Sequence, residues 1–443
     1  MLTVSGAALV WTGTRELRDV DVQCADGRVS ALVPRVAGGI NPSSKLDATG
    51  CVVIPGLVNA HHHLLQSAFR TAPDTRHVPM RAWLRAMRRH YAAVGIDDEL
   101  AQAAARVGIA ESLLCGVTTV ADHHLNWPDD LGARAALAGA TACAASGLGA
   151  RLVFVHGTAG GDIDKAVRSI ERILAENGPG DDRWELAVGP SGVHTDGPDM
   201  FRALAQLAST YGLRRRTQAN EQIDVEIAFE RYGQRPIELL DQWGWLAPDV
   251  TLAHCCGIDA AEISRLVATG VSVTHAPGCD LPQGWGVAPV AALLDAGVTV
   301  GLGTSGGGSN DAGHLLADTR LAMQIAPLAG RPIDAREALT LATRGSARGL
   351  GRNDLGGLEP GCAADLCVYD ISGVADSGVA DPLAGLLWGS PGRRPRDVLV
   401  GGEIVVRDYR LATADEEQIA STLGRLLRDR ARPPVTIGAE SAG

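Results

Sequence analysis

The stretch "CVVIPGLVNAHHHL", residues 51–64, decides the fold. Its first half is an apolar run, which suits a strand covered on both faces, as in a parallel sheet. Its end carries three consecutive histidines, and strand alternation turns His61 and His63 to one face and His62 to the other. Seven more runs follow: "GVTTVADHH" (116–124), "ARLVFVHG" (150–157), "ELAVGPSGVHT" (185–195), "LRRRTQANE" (213–221), "VTLAHCCG" (250–257), "VSVTHAP" (271–277) and "VTVGLGTSGGGSN" (298–310). Segments between them, such as Glu99–Cys115, Arg134–Ser146, Asp259–Ala268 and Pro332–Leu350, have helical periodicity. Eight strand–helix units predict an α/β fold, a closed (β/α)8 TIM-like barrel over residues 51–355. An open doubly wound sheet is the alternative, but no Gly-x-Gly-x-x-Gly opens the first unit.

The flanks read differently. Residues 1–50 and 356–412 carry short β signals punctuated by Gly and Asp, among them "DVQCADGRVSALVP" and "DVLVGGEIVVRDY". Two β-rich pieces at opposite ends of a barrel sequence can pair, so a small β-sandwich built from both termini is expected. Residues 413–443 begin with a helical segment, "DEEQIASTLGRLLRDRA", and end in a tail expected to be disordered.

The chain of 443 residues is 46% hydrophobic and 21% charged, the balance of an ordinary globular protein. Its net charge of −11 argues against nucleic acid or anionic membrane as a main partner. No apolar stretch is long enough for a membrane span, and "MLTVSGAALVWTG" lacks the basic start of a signal peptide. A cytoplasmic location with reduced thiols is the expectation for the nine scattered cysteines. Cys362 and Cys367 stand at loose zinc-knuckle spacing, but no further Cys or His completes such a site, so small core residues are the better reading.

Six of the eight strand ends carry a histidine, more than twelve scattered residues would supply by chance. In a parallel barrel those ends meet at one mouth, where such folds keep their active sites. His61 and His63 converging there are a natural start to a zinc site, since zinc favours nitrogen ligands in a tetrahedral arrangement. Asp122, His124 and Asn126 share one face after strand two, and His275 ends strand seven. Trp285 follows strand seven, placing an aromatic ring near the mouth to suit a flat ligand.

Six ordered motifs, "PGLVNAHHHL", "GVTTVADHHL", "TLAHCCGI", "SVTHAP", "GLGTSGGGSND" and "LEPGCAADLCVYD", resemble landmarks of the amidohydrolase superfamily. Within it they are most similar to the group of triazine hydrolase, hydroxydechloroatrazine hydrolase and 8-oxoguanine deaminase. The resemblance covers residues 1 to about 410 and implies a homodimeric enzyme that hydrolyses a C–N or related bond at a ring carbon of a nitrogen heterocycle. It implies one divalent metal, zinc or iron, held by His61, His63 and a strand-five histidine, with an Asp on strand eight completing the site. It further implies that His254 orients substrate or water and that Glu221 shuttles protons. Gln66 and Trp83 fall where members of the group contact the heterocycle.

Two positions depart from the family pattern. The strand-five ligand position is Gln218, and the strand-eight Asp is Ser305. Triazine hydrolases also carry a hydroxyl residue at the latter position, so Ser305 with Glu221 still permits hydrolysis. An amide is a poor zinc ligand beside imidazole, and Arg216, on the same strand face, repels a cation or pairs with an anionic substrate. Three readings follow. A metal is held with help from His254. The metal is lost, and Glu221 and His254 run a lyase, cyclase or isomerase step. Or the chain is a catalytically inactive binding protein.

Overall fold

The computed structural model of the chain describes residues 1–35 and 44–431. All eight runs become strands of one parallel sheet: Leu57–His63, Val117–His124, Arg151–Thr158, Trp184–Pro190, Arg214–Ala219, Val250–His254, Ser272–His275, and an eighth split into Val300–Leu302 and Ser305–Gly306. The first half of the eighth strand pairs with strand seven. The second half pairs with the first strand, Ser305 opposite His62 and Gly306 opposite His63, and so closes the barrel.

The connecting helices are bounded by the residues that physics prefers there. Asp97, Asp130, Asp162 and Asp259 each accept a backbone N–H of the first turn of the helix they precede, and Gly149, Gly212, Gly233 and Gly270 end helices in the left-handed conformation. Their apolar faces and the outer faces of the strands form one continuous core around the barrel.

The terminal segments form two further sheets. Leu2–Ser5, Val20–Ala25, Arg28–Pro34 and Lys45–Asp47 make one; the other joins Leu9–Trp11, Glu16–Leu17 and Cys51–Pro55 to Leu366–Asp370, Asp397–Val400, Glu403–Arg407 and Arg410–Leu411. Cys51–Pro55 pairs along its whole length with Leu366–Asp370, so the sandwich takes five residues expected in the barrel, and the chain crosses over at Gly56. Arg151, at the start of barrel strand three, forms a two-pronged pair with Asp365 at 2.8 and 3.0 Å, both residues buried. That pair ties the lower end of the barrel to the sandwich.

The C-terminal helix, Glu416–Arg430, packs on Asp98–Leu114, and Arg430 reaches Asp97 and Glu99. The tail expected to be disordered lies outside the described residues. No helix among the described residues is long and apolar enough to cross a membrane. All nine cysteines are unbridged.

Candidate active site

The ends of strands five, six and eight share a backbone device. Asn220, His254 and Ser305 all have positive φ, at 54°, 71° and 53°. A non-glycine residue held there costs on the order of 1–2 kcal/mol, and such strain gathers where function over-determines the backbone. The kinks sit beside or on the three residues carrying the expected chemistry: Glu221 follows Asn220, and His254 and Ser305 are themselves the bent positions. Above them opens a cavity of about 380 Å³, lined in part by His63, Gln66, Asp122, His124, Asn126, Gln218, Glu221, His254 and Ser305.

Three imidazoles, His63, His123 and His254, line its floor, and the His61 ring is packed against them. The His61 ring centroid lies 4.8 Å from His63, 5.1 Å from His254 and 6.1 Å from His123. His63 is fixed by Nδ1, which donates to the His123 carbonyl at 2.7 Å, leaving Nε2 as an acceptor toward the floor. His61 Nε2 is buried with no partner. Burial, reinforced by His63, His254, His123 and Arg216, holds His61 neutral, and burial pushes His63 down to about 4. His62 turns away, as alternation requires, to Thr304 Oγ1 at 2.9 Å.

The two departures from the family pattern take distinct positions. Gln218 lines the cavity, but its amide is engaged: Nε2 donates to Ser191 O and Oγ at 3.2 and 3.1 Å. Ser305 lines the cavity near the Cys279 thiol. Arg216 corrects an expectation. It faces the barrel interior, yet it does not line the cavity and meets no carboxylate; its guanidinium donates to the Ala60 carbonyl below the floor. Two residues along a strand are roughly 7 Å of depth, so a shared face did not mean a shared level. Burial, with Arg214 adding to it, pulls its pKa down to about 9.

Glu221 and His254 meet across the floor, with Oε1 of Glu221 3.6 Å from Nε2 of His254. Burial raises the Glu221 carboxyl. Behind His254, Nδ1 is held by both oxygens of Asp280 at 2.9 and 3.1 Å. Burial alone would neutralise the imidazole, but the carboxylates of Asp280 and Glu221 outweigh it and push His254 up to about 9. Asp280 also accepts from the Cys256 thiol at 3.2 Å. Among the described residues, the only set of three potential His, Cys, Asp or Glu donor atoms within 4.8 Å of one another is His254, Cys279 and Asp280. Its carboxylate is already bound to His254, and its thiol is buried and donates to Ser309.

Sequence reasoning gave Asp280 no role, because it follows strand seven in a short helix with no periodic cue. It also passed over Asp224, whose carboxylate holds His194 in the turn after strand four. Asp122, expected as substrate-facing or supporting, accepts the Leu64 N–H at 2.7 Å; its other oxygen is buried without a partner, and burial raises it to about 7. His275 lies outside the cavity lining, both ring nitrogens buried and unpaired.

The walls are flat and fixed. Trp83 and Trp285 meet edge to face at 5.6 Å, and their indole N–H groups donate to the Gly308 and Val78 carbonyls at 3.0 and 3.1 Å. Gln66 accepts the Gly308 N–H at 3.1 Å, and His124 Nε2 bonds the Asn126 carbonyl at 2.8 Å. Met80, Met87 and Leu84 complete the apolar side.

Known proteins agree with this architecture. The 8-oxoguanine deaminase of Pseudomonas aeruginosa is 34% identical over 398 residues, covering 85% of this chain and 87% of that protein. The 5-methylthioadenosine/S-adenosylhomocysteine deaminase of Halobacterium salinarum is 33% identical over 414 residues, covering 90% of this chain and 93% of that one. The crystal structure of the atrazine chlorohydrolase of Arthrobacter aurescens TC1 complexed with zinc superposes with a TM-score of 0.89 at 33% identity, covering 96% of this chain and 100% of that chain. The model of the amidohydrolase family matches residues 52–405, and with the closed barrel and its histidine floor this establishes that the chain belongs to the amidohydrolase family.

Proposed function

We propose that the protein is a hydrolase that displaces an amino or comparable leaving group from a ring carbon of a purine- or triazine-like nitrogen heterocycle. The observation that carries this reading is the pairing of Glu221 with His254 at the floor of a cavity walled by fixed indoles. The names of its relatives, deaminases of purine compounds and a chlorohydrolase of a triazine, point to the same substrate class.

The floor fits a divalent ion, zinc or iron, through His61 and His63. One presents a buried ring nitrogen without a partner, and the other is anchored by its far nitrogen to a carbonyl, the usual support behind a metal ligand. Gln218 adds little to that donor set, because its amide is already bonded. Such an ion, when bound, polarises water and lowers its pKa toward neutrality. Glu221, its carboxyl raised by burial, takes a proton from the attacking water and passes it to the leaving group. His254, kept protonated by Asp280, donates toward the ring nitrogen beside the reacting carbon, where negative charge develops. Ser305 hydrogen-bonds the water, and Trp83 and Trp285 hold the ring plane.

Gln218 and the unpaired Arg216 favour a second reading, in which Glu221 and His254 run a lyase, cyclase or isomerase step on the same barrel without metal. Ammonia or halide release from a panel of amino- and chloro-heterocycles, read together with substrate loss and product mass, decides between them. Under the first reading turnover disappears with chelator, returns with zinc and is lost in Glu221→Gln. Turnover that is indifferent to chelator yet lost in Glu221→Gln supports the second, and no turnover of any heterocycle refutes both. We read the active protein as a cytoplasmic homodimer, as the family resemblance implies; a monomer in light scattering overturns the oligomeric part.

A further inference from the structure

The chemistry above leaves one built arrangement in the cavity without a task. His194 stands in the turn after strand four and lines the cavity. Its Nδ1 lies 2.8 Å from Asp224 Oδ1, and the same carboxylate accepts the backbone N–H of His194 at 3.1 Å and, through Oδ2, that of Asn220 at 3.1 Å. Asp224 is wholly buried. Three hydrogen bonds to one buried carboxylate fix the ring and the turn around it. The backbone is shaped for the pair as well. A Cβ on Gly192 would lie 2.7 Å from Nδ1 of His194 and 2.8 Å from Oδ1 of Asp224, so only glycine admits the pair at this turn.

The far nitrogen of the ring, Nε2, meets no partner among the described residues, although the residue is only 6% exposed. Here one is clamped and the other opens into the cavity. Burial opposes its charge, but Asp224, Glu221 and Asp196 together raise its pKa. With Nδ1 on Asp224, the open nitrogen donates in the protonated ring, the form that the buried pairing with Asp224 and the carboxylates of Glu221 and Asp196 favour, and three nearby carboxylates make the surroundings inhospitable to a full negative charge.

We propose that His194 is a specificity-determining residue whose Nε2–H binds a neutral ring oxo oxygen, so that the site prefers oxo-substituted heterocycles over the same rings without that oxygen. This deepens the heterocycle hydrolase reading and rests on it. Such an oxygen is a strong acceptor without formal charge, which suits a donor placed among carboxylates.

Matched ligand pairs differing by one ring oxo group test the assignment: 8-oxoguanine against guanine, and isoxanthopterin against pterin, measured by calorimetry with chelator-treated Glu221→Gln protein in which position 194 is the wild-type His, His194→Phe or His194→Gln. Binding rather than turnover is read, so a defect in proton transfer does not enter. The protein with His194 is expected to favour the oxo member of at least one pair by roughly 10- to 100-fold, the worth of a charge-assisted hydrogen bond. His194→Phe loses that preference while binding the oxygen-free partner as before, which also shows that the variant is folded. His194→Gln, with a neutral donor, keeps part of it. An equal preference with His194 and with His194→Phe overturns the assignment. If neither pair binds the protein with His194, the heterocycle reading fails and takes this inference with it.

Discussion

Asp280→Asn isolates the charge behind His254. The amide keeps an acceptor for Nδ1 and nearly the same shape, but removes the carboxylate. In the native fold His254 rises from 6.5 to about 9, a difference of about 3 kcal/mol between its protonation states. A histidine whose folded pKa is raised contributes stability that is complete below its unfolded value and is lost as pH climbs through the folded one, here from 6.5 to about 9. A chain of 443 residues has an unfolding entropy of about 0.9 kcal/mol/K at about 2.1 cal/mol/K per residue, so 3 kcal/mol is about 3 °C in Tm. Thermal unfolding of chelator-treated wild type and variant is expected to differ by about 3 °C at pH 5.5 and by much less at pH 10. A gap that is equally wide at both pH values would show that Asp280 acts through packing alone, and the charge argument would be wrong.

Gln218→His restores an imidazole to the floor and is expected to raise zinc affinity by more than about tenfold, measured by competition with a chromophoric chelator; unchanged affinity means that Gln218 never stood at the metal position. Arg216→Met removes a buried cation that has no carboxylate. Burying a charge without a counter-charge is costly, so an apolar side chain there is expected to stabilise and Tm to rise at pH 7; a fall would reveal an unseen anionic partner. Glu221→Gln is expected to lower kcat by roughly 10²- to 10⁴-fold, with ligand affinity kept within a few-fold in calorimetry. Retained turnover removes Glu221 from proton transfer.

The barrel was legible because most of its strands are apolar runs of parallel-sheet type and many of its helices are announced by a capping Asp or closed by a Gly. Its edges were less so. Cys51–Pro55 and Leu57–His63 form a single apolar stretch in sequence, and only Gly56 marks where one sheet gives way to the other. At the site, Glu221, of opposite parity to Gln218, was legible only through the family resemblance. Alternation grouped His61 with His63 and Gln218 with Arg216, since period two is a property of any strand, and of these His63 and Gln218 line the cavity. It said nothing of depth, so Arg216 was read as reaching the ligand when it lies beneath. The carboxylates behind the imidazoles, Asp280 and Asp224, stand in short or irregular turns, where position depends on tertiary contacts and leaves no periodic trace.

The eighth strand carries a last consequence. The ring of strands is a hoop fastened by a two-residue clasp, Ser305 and Gly306 against His62 and His63, and the clasp lies directly under the reacting atoms. Any opening of the hoop dismantles the chemistry before it loosens the rest of the wall. Amide exchange at these positions is therefore expected to run ahead of the other strands, and to slow when a molecule is seated against Ser305 and His63. In this chain, occupancy of the mouth and integrity of the hoop are read by one signal.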